Sequence, residues 1–195
     1  MYRWMEDKQV GVRLVRPRKT KSGDFRPPRH GLPSRITLNS DLSPVDMMIT
    51  FCHEWAHYLV YNAYQRRAKP HGEEWKQAFR GLLAEVLEQV DLPHGIPEAI
   101  RKCYFKRERI GSGICEALYD AERELHIRQN GGVGSQDPGG IRVRDLAEGQ
   151  EFRLRGGKVF VKGRKNRTRY RCREVKTGRM FTVHSMAEVL EIISR

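Results

Sequence analysis

The stretch "ITFCHEWAHYLV", residues 49–60, places two histidines four positions apart with a glutamate directly after the first. On a helix, side chains four apart leave one face a turn from each other, so His53 and His57 can converge on one metal ion. Glu54 points beside them. From there it can take a proton from a zinc-bound water and pass it to a leaving amine. This HExxH arrangement has one physical requirement, a helix, and the flanking residues supply it. Ser43 suits the N-cap, Pro44 the first helical position, and Asp46 a variant of the capping box. Val45, Met48, Ile49, Cys52, Ala56, Leu59, Val60 and Ala63 then form a helical apolar stripe, which predicts a helix running to about Arg67.

A catalytic zinc site takes three protein ligands and keeps one position open. The metzincin pattern would put a third histidine at position 63, which is Ala63, so that class is excluded. The next candidate is His71 in "KPHGEEW", just before a second helical pattern. Glu73 and Glu74 compete with it as ligands, or one of them orients a ligand histidine from outside. In the second helix Trp75, Phe79, Leu82, Leu83, Val86 and Val90 share a side, and Leu92-Pro93 ends it. Shorter helices are expected over 97–105 and 114–129.

Outward from this centre, both ends of the chain read as β structure. Residues 10–16 alternate apolar and polar, "RKTKSGDFRPP" carries a Ser-Gly turn signal, and residues 34–39 form a short strand. Together they predict a small, twisted, mainly antiparallel sheet. After "QNGGVGSQDPGG", read as a flexible linker over 129–140, "EFRLR", "KVFVKG", "RTRYRCREV" and "RMFTVH" predict four strands. "MAEVLEII" predicts a closing helix. The expected organisation is residues 1–128, a linker, and a small basic β unit over 141–195.

The charge is uneven. Residues 1–40 hold ten Lys/Arg against three acids, residues 41–140 twelve against fifteen, and residues 141–195 fifteen against six. Basic ends around an acidic middle suggest a polyanion partner, most simply nucleic acid. On a strand through "RTRYRCRE", Arg167, Arg169, Arg171 and Arg173 share one face and Thr168, Tyr170 and Cys172 the other. With Arg164 and Lys165 these arginines are the candidate nucleic-acid contacts, expected to bind phosphates without sequence preference.

The N-terminal residues lack the apolar stretch of a signal peptide, and no apolar run approaches the roughly 20 residues of a membrane span. The four cysteines (Cys52, Cys103, Cys115, Cys172) include no CxxC pair. They are expected to be free thiols in a reducing cytosol, with nucleoid association if the source is bacterial.

"SRITLNSDLSPVDMMITFCHEWAHYLVYN" followed by "KPHGEEWKQAF" resembles the SprT-like zinc metalloprotease family, which includes Spartan. The resemblance covers about residues 10–125 and is densest over 34–80. It implies an α+β, zincin-like minimal protease domain, in which a small N-terminal sheet packs with an HExxH helix bundle. It implies one zinc ion on His53, His57 and His71, with Glu54 as general base. It also implies work at DNA, since characterised relatives cleave proteins crosslinked to it. Many such proteins end in a cysteine zinc ribbon. Cys172 alone cannot form one, so no second zinc is expected. The leading expectation is a zinc endopeptidase acting on DNA-associated proteins. The alternative is a nucleic-acid-binding protein whose zinc is structural or vestigial.

Overall fold

The protein is described here from a computed structural model, which describes residues 4, 8, 10–18, 20–65, 67–106, 115–129 and 140–193. It is a mixed α+β chain of two compact units. The first spans Met1–Leu92 and Tyr104–Ile110, the second Pro93–Cys103 and Gly111–Arg195. Apart from Gln129 and Gly140, the segment expected as a linker lies outside the described residues.

In the first unit, strands β1 (Val10–Val15), β2 (Gly23–Arg26) and β3 (Ser34–Asn39) form a sheet of order β1-β3-β2. β3 runs parallel to β1 and antiparallel to β2. The expected mainly antiparallel sheet is therefore mixed, because β3 inserts between the two strands that precede it. Arg18 fixes this geometry. Its Nε and Nη1 donate to Asn39 Oδ1 (2.9 Å) and Thr37 Oγ1 (3.0 Å) at the end of β3. Asn39 Nδ2 donates back to the carbonyls of Arg18 and Lys21.

Helix α1 (Pro44–Tyr64) starts as its sequence requires. Ser43 Oγ accepts from the Asp46 N–H at 3.0 Å, and Pro44 occupies the first turn. It stops three residues before the expected Arg67, where Gln65 turns left-handed at φ 55° and its N–H closes on the Tyr61 carbonyl. Helix α2 (Glu73–Gln89) buries Trp75, Phe79, Leu82, Leu83 and Val86, while Val90 lies past its end and is exposed. Ile36, Phe51, Cys52, Trp55, Ala56, Trp75, Phe79 and Leu83 are at most 1% exposed, so the sheet, α1 and α2 close on one apolar core. Among the described residues no helix is long and apolar enough to cross a membrane.

The second unit contains helix α3 (Ile96–Ile100), the first three residues of the π-helical turn Arg101–Phe105 that follows it, and helix α4 (Glu116–Gln129). Cys103 and Cys115 form a disulfide, so only Cys52 and Cys172 are the free thiols expected of all four. Five antiparallel strands follow: β4 (Glu151–Leu154), β5 (Val159–Asn166), β6 (Arg169–Glu174), β7 (Met180–His184) and β8 (Val189–Ile192), in the order β7-β6-β5-β4-β8. Val143, Leu146, Phe152, Phe160, Cys172, Val183 and Val189 fill the interior. The expected closing helix is thus strand β8, because the segment can pair with β4 and turn Val189 inward while Leu190 faces out. Pairing to a free edge outweighs a weak local helical preference.

Candidate metal centre and basic face

His53 and His57 leave α1 one turn apart. His71 sits at the turn before α2 with φ 56°, a left-handed conformation that swings its ring back over α1. The Nε2 atom of His71 lies 3.1 Å from Nε2 of His57 and 3.1 Å from Nε2 of His53. Among the described residues this is the one cluster of His, Cys, Asp or Glu side chains able to hold a metal ion. Glu73 and Glu74 do not belong to it, and Glu73 pairs instead with Lys76. Three neutral imidazoles meeting at Nε2 cannot satisfy one another, since each brings one lone pair or one proton to that atom. Ligands of a tetrahedral zinc at about 2.0–2.1 Å lie roughly 3.3 Å apart, so the observed spacing fits a tripod on such an ion.

Burial prepares these ligands. It pushes the His53 imidazole down to about 3, helped by His57 and His71. It pushes His57 down to about 4, helped by His71, and lowers His71 as well. All three rings are held neutral, the form that binds metal. Trp75 is the common wall. Its ring centroid lies 4.6, 5.4 and 4.6 Å from those of His53, His57 and His71. Its indole N–H donates to the His53 carbonyl at 3.3 Å. In sequence Trp75 is only one residue of an apolar stripe, and nothing marks it as support for all three rings.

Glu54 is 7% exposed and faces strand β2. Burial, with a smaller contribution from Asp24, raises its carboxyl to about 7, although the Phe25 N–H, Arg18 and Lys21 favour the anion. Gly23 and Phe25, which frame this carboxylate, were missed in sequence. Gly23 reads there as half of a turn, but in the fold it opens a strand and marks close approach of backbone to a side chain.

On the second unit, Arg169, Arg171 and Arg173 are exposed on β6 and alternate with Tyr170, Cys172 and Glu174, which turn inward. Arg167 does not join them. It lies in the β5–β6 turn at φ 55°, because β5 runs on to Asn166 and β6 therefore begins two residues later than the sequence pattern suggests. Arg164 and Lys165 lie 3.8 and 3.9 Å from Glu148 and Glu116. Three of the six candidates therefore share the strand face, spanning roughly 13 Å at about 3.3 Å per residue.

The model of the SprT-like family, whose general property is zinc metalloprotease activity, matches residues 7–94, so this part of the chain is similar to that family. The match contains the whole histidine cluster and Glu54, and ends before the second sheet. No curated protein and no solved structure matches the chain.

Proposed function

We propose that the protein is a zinc-dependent endopeptidase of zincin-like architecture that cleaves DNA-associated proteins, with His53, His57 and His71 as ligands and Glu54 as general base. The observation that carries this reading is the convergence of the His53 and His57 Nε2 atoms on that of His71, each at 3.1 Å, beside the buried carboxylate of Glu54 on the helix of the first two. Zinc held there supplies Lewis-acid chemistry, polarising a carbonyl and making water easier to deprotonate. The remaining work belongs to the chain. Glu54, buried on the same helix as two of the ligands, takes a proton as water oxygen adds to the scissile carbonyl carbon. It returns that proton to the amide nitrogen as the C–N bond breaks. Trp75 holds the ligand rings in place, and the exposed side of His71 leaves the site open to a substrate.

The partner reading rests on Arg169, Arg171 and Arg173, which project from one strand face without an acidic partner among the described residues. Such a row suits phosphates read by charge, so cleavage would be selected by location on DNA more than by peptide sequence. The test is proteolysis of a DNA-binding protein, with and without single- or double-stranded DNA, by wild type and by Glu54→Gln. Cutting that DNA stimulates and the variant lacks is expected. Metal and DNA binding without any cutting would overturn the enzymatic reading in favour of a binding protein with a vestigial site.

A further inference from the structure

The HExxH pattern names the general base but not what holds it. Strand β2 lies along one line of α1, formed by Thr50, Glu54, Tyr58 and Tyr61. A Cβ at Gly23 would lie 2.7 Å from each of Glu54 Cγ, Glu54 Oε1 and Thr50 Cγ2, closer than real Cβ contacts come. Two residues on, the Phe25 ring packs on Tyr58 and Tyr61 at centroid distances of 6.1 and 6.0 Å. The Phe25 N–H is the backbone group that acts on the Glu54 carboxylate, favouring its anion.

The register explains why that N–H is available. The Asn39 N–H donates to the Ser22 carbonyl at 2.8 Å, so Ser22 and Asn39 are a hydrogen-bonded pair. In an antiparallel ladder such pairs alternate with non-bonded ones. Asp24 is then turned toward β3, and Gly23 and Phe25 direct their backbone groups away from it. β2 is the edge of its sheet, so the Phe25 N–H would face water if Glu54 did not accept it.

We infer that β2 is the positioning element of the base: Gly23 makes room for the Glu54 side chain, and the Phe25 N–H fixes its carboxylate. The clamp formed by Arg18 and Asn39 sets where β2 begins and so holds both groups in register. This inference rests on the peptidase reading for its kinetic consequence but not for its structural one.

The experiment therefore has two arms. In the first, amide exchange and proton shift of Phe25 are followed by NMR in zinc-loaded and metal-free protein. The amide is expected to be protected in both, and Glu54→Ala to expose it. A Phe25 amide that exchanges as an open edge, or that ignores Glu54→Ala, overturns the inference. In the second arm, Gly23→Ala is expected to lower kcat by roughly 100-fold through displacement of the base, with KM and zinc affinity within about twofold of wild type. Phe25→Pro removes the N–H without costing a ladder bond. It should lose at least about tenfold more kcat than Phe25→Leu, which removes the ring and keeps the N–H. Equal losses in the two would show packing alone and overturn the inference. If Gly23→Ala fails to fold, its destabilisation should largely disappear in a Thr50→Ala, Glu54→Ala background, and persistence there counts against the contact. Should wild type itself cut nothing, the peptidase reading fails while the amide arm still decides the role of β2.

Discussion

Replacing Glu54 with Gln should do more than stop proteolysis: it should stabilise the metal-free protein, and only at neutral to alkaline pH. Burial moves the Glu54 carboxyl from the usual 4.5 to about 7. Below the lower value both folded and unfolded chains carry the proton. Between the two, the unfolded chain releases it while the folded chain keeps it, so stability is lost as pH rises through this window. Above about 7 the folded protein carries the full cost of a buried carboxylate, about 3 kcal/mol at 1.36 kcal/mol per pH unit. Glutamine never ionises, and its oxygen can still accept from the Phe25 N–H. The three histidines push the other way, losing stability as pH falls below their ordinary value, but they are common to both proteins and largely cancel in the difference. The assay is urea denaturation of chelator-treated wild type and variant from pH 4.5 to 8. The stability gap should grow from near zero to about 3 kcal/mol in favour of the variant. A gap that stays flat with pH, or a variant less stable at pH 8, would refute the idea that burial sets the character of this group.

His71→Ala should weaken zinc binding by more than the 10–100-fold typical of an outer partner, as read by competition with a chromophoric chelator. Calorimetry in two buffers should find few protons released per zinc at pH 6, because His53 and His57 are already neutral there; release of two or more would contradict their lowered pKa values. Trp75→Ala should cost about 3–5 kcal/mol of stability and zinc affinity with it, checked by denaturation and metal titration. Replacing Arg169, Arg171 and Arg173 together by Ala should reduce the salt slope of DNA binding by about 2.7, measured by anisotropy over a range of salt concentrations.

What the sequence disclosed follows physical range. The α1 start depends on contacts three residues long, from Ser43 to Asp46, and was readable directly. The His53–His57 pair needs only helical periodicity. His71 required a guess about how a turn closes, and its left-handed backbone is what makes the closure work. Range also explains the misses. β8 depends on pairing with β4, more than thirty residues away, so "MAEVLEII" could be read as a helix. Arg167 fell off its strand because the position of a hairpin turn is a property of two strands at once. The Cys103–Cys115 disulfide joins residues that no local pattern connects. Gly23 and Phe25 gain their roles from a helix that begins some twenty residues later.

The adjacency of His53 and Glu54 has a structural consequence. Neighbours on a helix with 3.6 residues per turn project about 100° apart, so they cannot be supported by the same surroundings. The His53 and His57 face of α1 is finished by α2, through Trp75 and the preceding His71. The Glu54 face is finished by β2, through Gly23 and Phe25. The proposed metal binding and proton transfer would thus depend on different partners of one helix. Changes at Trp75 should fall first on the metal, and changes at Gly23 first on the base. The same division shows why the short HExxH pattern is incomplete as a description of the site: it names the two roles proposed for the helix, and the elements on either side of α1 would make each of them possible.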